Sequence, residues 1–211
     1  MLPAFERPAR VLVAHPRIRE LLPAYLAAGS YVSLTMVPLM EAALARSRAL
    51  APADPVAAAL VPYLERHIVE EMHSDEPGGA SLDDLAVLGV DTDALRTGPL
   101  PQKMAALVGT HFFRIHHAHP VSVLGLLWLE VYPPAPAFVE RLMERSGLPA
   151  DGFRQLLLHS VVDVHHGAEL QRVVDALPLE PWHERLLGLS VLETVDCLVA
   201  VWLGVLGVDG E

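Results

Sequence analysis

An all-α fold is predicted for this chain by three observations. Apolar residues recur at helical spacing, no stretch alternates strictly over a strand's length, and prolines and glycines punctuate the periodic segments. Those segments run from Pro16 to Ala28, Tyr31 to Ala49, Pro55 to Ser74, Pro101 to His119, Pro120 to Val131, Pro136 to Ser146, Asp151 to Leu177 and Pro181 to Leu206. Pro16, Pro55, Pro101, Pro120, Pro136 and Pro181 suit first turns, where a missing N–H costs nothing, while Gly29 and Gly147 suit helix ends. Pro23, Pro38 and Pro62 fall inside periodic stretches and predict kinks or breaks.

Between Asp75 and Pro99 the pattern weakens. The run Asp75-Glu76-Pro77-Gly78-Gly79 precedes a short helix near Ser81 to Leu88, and Gly89-Val90-Asp91-Thr92-Asp93 follows it, so this is the main loop region. Ser81 and Asp84 make only a loose capping box, because its third helical position prefers Glu or Gln. No internal repeat, low-complexity tail or interdomain linker interrupts the chain.

With 211 residues, 52% of them hydrophobic, the chain can bury one substantial core, and a single domain spanning 1–211 is expected. Its formal net charge of −11, with no Lys/Arg cluster, argues against nucleic acid as a partner. The single cysteine, Cys197, excludes an internal disulfide and reads as inert packing in an apolar helix. Met1-Leu2-Pro3-Ala4-Phe5-Glu6 lacks the basic start and apolar core of a signal peptide, so the expected location is cytoplasmic. Leu186 to Val208 is long and apolar enough to raise a membrane span, but Glu193 and Asp196 in its middle would be costly in lipid. A buried C-terminal helix is expected instead. The expected partners are therefore a small-molecule substrate and neither nucleic acid nor membrane, with a homodimer left open.

The strongest chemical signal is His159-Ser160-Val161-Val162-Asp163-Val164-His165-His166. At about 100° per residue, His159, Asp163 and His166 fall within roughly 60° of arc on one helix face. Mixed imidazole and carboxylate donors suit Fe, Mn or Zn better than Ca or Mg, which prefer oxygen shells. The competing reading is a solvated polar stripe. Leu156, Leu157, Leu158, Val161, Val162 and Val164 flank the set, however, and predict a largely buried helix with the stripe turned inward. His165 is rotated about 100° away from His166 and reads as a supporting or surface group.

Glu70 and His73 make an i, i+3 pair on another helical segment, repeating the Asp163/His166 spacing. His67 and Glu71 form a competing pair on the adjacent arc, so the choice between the two faces stays open. Glu130 ends an apolar run from Val121 to Leu129, where a carboxylate is costly to bury without a cation; an exposed last turn is the plain alternative. Glu41 reads as an ordinary surface glutamate. Together Glu70, His73, Glu130, His159, Asp163 and His166 are the ligand stock of a carboxylate-bridged two-metal site in a helical core. His111, His116, His117 and His119 are scattered around their helix and suit surface, supporting or pocket-lining positions, while Phe112, Phe113 and Trp128 read as core. No Gly-rich nucleotide loop, Cys-x-x-Cys zinc site or Gly-x-Ser-x-Gly elbow is present.

On these residues the chain resembles the haem-oxygenase-like diiron oxidases, or iron-containing redox enzyme family, from about Tyr63 through Leu177. The carriers are His159-x3-Asp163-x2-His166, Glu130 after Leu-Gly-Leu-Leu-Trp-Leu, the Glu70/His73 segment, and His119-Pro120 leading into the Glu130 helix. Where some members place a glutamate seven residues before the first ligand histidine, this chain has Arg66, and Glu70 takes that part. The resemblance implies a compact bundle of seven to eight helices, two iron ions held from three helices, and O2 as co-substrate. His15 lies roughly where true haem oxygenases carry their haem ligand, but the ligands lining the core argue against haem. Similarity to the family's 2-aminoimidazole N-oxygenase implies a non-haem diiron oxygenase or oxidase performing N-oxygenation of a small amine or amino-azole in specialised metabolism. Its electrons come from an external donor. The alternatives are oxidative C–C cleavage or decarboxylation of an amino or fatty acid, and a cofactor-free, thiaminase-like binding protein.

Overall fold

The computed structural model describes residues 3–72 and 79–208, and every regular element among them is helical. The α-helices are α1 (Pro3–Ala14), α2 (Ile18–Leu50), α3 (Pro55–Glu71), α4 (Gly79–Val87), α5 (Thr92–Thr97), α6 (Gln102–His117), α7 (Leu124–Leu127), α8 (Pro136–Ser146), α9 (Arg154–Ala176) and α10 (Pro181–Val205). Short 3-10 turns cover Pro120–Val123, Trp128–Val131 and Ala150–Phe153. α4, α5 and α7 have only 9, 6 and 4 residues, so the longer helices match the expected bundle.

Long α2 is the spine, packing along α3, α6 and α10. Its buried Tyr25, Ala28, Val32 and Met36 keep one apolar face through Gly29, which is why the helix end expected at Gly29 does not occur. Pro23, Pro38 and Pro62 likewise lie within unbroken helices. The main core joins Met36, Met40, Leu60, Leu64, Met104 and Leu127, and a second cluster gathers Leu12, Leu22, Leu142 and Phe153. Asp54 caps α3, its carboxylate accepting from the Val56 and Ala57 N–H groups at 2.9 Å. Asp84 does not close a box with Ser81. Instead its buried carboxylate accepts from the Gln155 N–H at 2.6 Å and the Arg154 Nε at 3.0 Å, tying α4 to the first turn of α9.

The segment Pro120–Val131 is not one α-helix but a 3-10 turn, α7 and a second 3-10 turn. Every residue from Pro120 to Leu127 is buried. A Cβ on Gly125 would stand 2.3 Å from the Ser190 Cβ, so the glycine lets α7 lie directly on α10.

Several expectations need correction. α1 was not anticipated, because Pro3 and Pro8 obscure its buried Phe5, Ala9 and Leu12 stripe. α5 replaces a loop, started by Asp91 accepting from the Ala94 N–H at 3.0 Å. α9 is not largely buried: Leu158, Val161 and Val164 are 52%, 65% and 62% exposed. Phe112 and Phe113 are exposed too, tilted against the His116 and His117 rings. α2 and α10 are each long and apolar enough to cross a membrane by length and composition alone; in α10, Glu193 and Asp196 are exposed.

His111 provides a test of the α6–α10 contact. The Thr194 hydroxyl donates its one proton to the Ser190 carbonyl, so it accepts from His111 Nε2 at 2.9 Å. Burial, with Arg114 alongside, pushes the His111 imidazole down to about 4 from 6.5. A folded value below the unfolded one stabilises the protein above pH 6.5 and is lost as pH falls toward 4, worth up to about 3 kcal/mol. Urea unfolding between pH 7 and 4.5 should show a smaller acid loss in His111→Gln than in the parent; equal losses would refute the burial argument.

Candidate metal centre

Three elements converge on one end of the bundle. α3 brings His67, Glu70 and Glu71 from its last turn and a half, the Trp128–Val131 turn brings Glu130, and α9 brings His159, Asp163 and His166. The ion pair between Arg66 and Glu169 binds α3 to α9 beside them. Gly167 sets how closely α9 meets the Glu130 turn. A Cβ there would stand 2.6 Å from both the Glu130 carbonyl oxygen and the Val131 Cα, inside van der Waals contact.

The structure places the described members of both competing pairs, Glu70, His67 and Glu71, in one cluster. His67 is buried, with Nε2 3.2 Å from Glu130 Oε1 and Nδ1 3.6 Å from Glu70 Oε2. His166 Nδ1 stands 3.7 Å from Glu71, 3.9 Å from Glu130 and 3.9 Å from Asp163, and its Nε2 is 3.8 Å from Glu70. His159 Nδ1 meets Asp163 at 2.8 Å and is the most open member, its side chain 39% exposed. Glu130 is 6% exposed, so it is not a solvated last turn. The structure thus brings together Glu70, Glu130, His159, Asp163 and His166 and adds His67 and Glu71. His73 lies outside the described residues. His67 and Glu71 were legible as a competing pair; they and Glu70 share the cluster instead of excluding one another. Glu41, His116, His117 and His165 are exposed, and His15 is spent accepting from the Arg17 N–H.

Burial and crowding act on Glu71, Glu130 and the three imidazoles. Burial, reinforced by Glu130, holds the Glu71 carboxyl above its ordinary range, and burial raises Glu130 against the opposing pull of His67. Asp163 raises His159, whereas burial and the neighbouring His67 lower His166. For His67, burial opposes the Glu130 hydrogen bond and the net direction is upward.

The donor set fits a metal. His67 Nδ1, Glu70 Oε2, Glu130 Oε2 and His166 Nδ1 are buried without a hydrogen-bond partner, a costly condition for polar atoms. Separations of 3.6–3.9 Å are too long for hydrogen bonds. They suit a shared ion, since two ligand atoms each about 2.1 Å from one metal can stand up to about 4.2 Å apart. Two donor groups, His67/Glu70/His166 and His67/Glu71/Glu130, each lie within 4.8 Å and share His67.

Asp54, His119 and His183 form another compact group. His119 Nδ1 accepts from the Val121 N–H and His183 Nδ1 from the Glu180 N–H, so Nε2 is the protonated nitrogen in each neutral ring. A metal would need that lone pair. This group instead anchors the α3 cap, with His119 Nε2 donating to Asp54 at 3.0 Å.

A cavity of about 310 Å³ opens from Glu71, Glu130, His159 and Asp163 toward an apolar wall that includes Phe5, Tyr25, Phe138 and Trp202. Of the histidines read as possible pocket-lining groups, His116 and His117 face solvent, as does His165, and among the described histidines only His159 lines the cavity.

Gly167→Ala should lower stability by about 1–3 kcal/mol, because backbone atoms block the new methyl and α9 must move away from Glu130. Urea midpoints measure it. A variant as stable as the parent would refute the close approach.

No curated protein matches the sequence. Among solved structures, a domain of unknown function with a heme oxygenase-like fold from Shewanella denitrificans OS217 is similar at 16% identity and a TM-score of 0.68, covering 96% of this chain and 88% of that one. It supports the fold alone. The model of the iron-containing redox enzyme family matches residues 24–197, a span that holds every side chain of the centre, and the chain belongs to that family.

Proposed function

We propose that the chain is a non-haem diiron oxygenase that uses O2 to oxidise the nitrogen of an amine. The observation that carries the reading is the convergence of partnerless buried donors, His67 Nδ1, Glu70 Oε2, Glu130 Oε2 and His166 Nδ1, in a family of iron-containing redox enzymes. His67, Glu70, Glu71, Glu130, His159, Asp163 and His166 are the residues to hold the ions, with His73 the further candidate from sequence. Bound iron would supply the binding and reduction of O2 that no side chain here can provide.

The chain's own residues do the rest. Glu70, Glu71, Glu130 and Asp163 carry negative charge to offset two divalent ions, and the imidazoles complete the donor set without adding charge. No ion pair among the described residues ties those carboxylates to an arginine or lysine, which keeps them available, and the apolar cavity walls limit water beside the reacting group. The balanced reaction converts RNH2, O2, two electrons and two protons to RNHOH and water. The electrons come from an external reductant, such as a reduced flavin or iron–sulfur protein. An amine is favoured over an acid because no lysine or arginine is among the described residues that line the cavity, and membership of an iron-containing family weighs against the cofactor-free alternative.

Anaerobic loading with Fe(II) should give about two irons per chain and raise the melting temperature, since a ligand at a hundred times its Kd adds about 2.7 kcal/mol. Glu130→Gln and His166→Ala should each lower the iron content. Incubation of the loaded protein with amines, O2 and reductant should yield products heavier by one oxygen atom on nitrogen. Iron-free protein after loading, or iron retention unaffected by both substitutions, would defeat the reading; loss of carbon from the substrate would move it to oxidative cleavage.

A further inference from the structure

The cavity beside the centre has a charge pattern that selects among substrates. Its acidic lining is Glu71, Glu130 and Asp163 from the cluster and Asp84 from α4, with no lysine or arginine among the described lining residues. Asp84 is already answered by Arg154 and the Gln155 N–H, so it is neither bare nor available to hold a ligand. A carboxylate entering here would lose its hydration and meet no side-chain cation. Two divalent ions would be balanced by Glu70, Glu71, Glu130 and Asp163, so the loaded centre offers an anion no net positive charge.

Part of the wall is aromatic. Tyr25 and Trp202 stack at 5.3 Å with an interplanar angle of 14°, and Phe5 meets Trp202 edge-on at 5.1 Å. The Trp202 indole N–H donates to the Tyr25 carbonyl at 3.2 Å, so the polar atom is spent and the ring offers apolar surface. Gly29 lies against this ring. A Cβ there would sit 3.6 Å from Trp202 Cζ2, an ordinary contact, so larger side chains at this position would grow into the cavity without straining the backbone.

We infer that the substrate is an amine with an apolar, ring-sized body and no carboxylate, its nitrogen at the Glu130/Asp163 end and its body against Tyr25 and Trp202. This rests on the N-oxygenation reading and narrows it, and it excludes amino acids and fatty acids as substrates. The cavity's volume is at the small end for ligand sites, which admits one ring and a short chain.

Calorimetric titration of the Fe(II)-loaded protein under anaerobic conditions, and of the metal-free protein, with 3-phenylpropylamine and 3-phenylpropionate compares one skeleton with the two end groups. The amine should bind at least tenfold tighter than the carboxylate in both preparations. Trp202→Ala should weaken amine binding about tenfold with iron content unchanged. Gly29→Leu, which adds a helix-favouring side chain in front of the ring, should do the same without depending on how the core tolerates a lost indole. A carboxylate bound as tightly as the amine, or amine binding untouched by Gly29→Leu, overturns the inference. If loading yields no iron, the oxygenase reading falls, while the amine and carboxylate affinities of the metal-free protein still decide this one.

Discussion

Four carboxylates, Glu70, Glu71, Glu130 and Asp163, crowd one end of a helical core where their described ion-pair partners are imidazoles. That concentration of like charge is the constraint from which the rest of the structure follows. At low dielectric, like charges and burial each push carboxyl groups toward the protonated form, and Glu71 and Glu130 show both effects. A fold that needed only stability would place arginine or apolar residues here. Holding the acids together is worthwhile only when a cation from outside completes them.

The backbone bears the consequences. The Glu130 carboxylate arrives on a buried segment that cannot remain one regular helix, because α10 presses on it at Gly125 and α9 at Gly167. Both contacts exclude a Cβ, and both place backbone against a neighbour instead of side chain. The Arg66–Glu169 pair and the Asp84 contacts to Arg154 and Gln155 then fix α9 at its middle and at its start. α9 is consequently held on one side only. Its outer Leu158, Val161 and Val164 remain exposed while Asp163, His166 and Leu170 are buried.

Much of this was legible in the chain. His159, Asp163 and His166 announce themselves by spacing, and Glu130 follows Leu126 and Leu127 at i+4 and i+3, so the apolar face that buries those leucines carries it inward. Other features were hidden for physical reasons. Glu70 and Glu71 lie about 100° apart on α3, and periodicity asks one to face away; at the helix's last turn both reach the cluster, with the Glu70 side chain 32% exposed and that of Glu71 17%. Gly29 looked like a helix stop because a glycine's local preference says so, yet the tertiary face formed by Tyr25, Val32 and Met36 overrode it. The outward aromatics Phe112 and Phe113 read as core because hydrophobicity reports what a residue tolerates, not which side of a helix it occupies.

The cavity narrows one further step of sequence reasoning. The chain carries eleven histidines, and His111, His116, His117 and His119 read as surface, supporting or pocket-lining groups. Several are used elsewhere: His119 holds the Asp54 cap of α3, His183 closes the cap of α10, His111 ties α6 to α10, and His116 and His117 tilt against exposed rings. The chamber that remains joins the acids of the cluster, Glu71, Glu130 and Asp163, to a mostly apolar wall with the aromatic rings of Phe5, Tyr25, Phe138 and Trp202. Asp84 adds no bare carboxylate to that lining, because Arg154 and the Gln155 N–H already answer its charge.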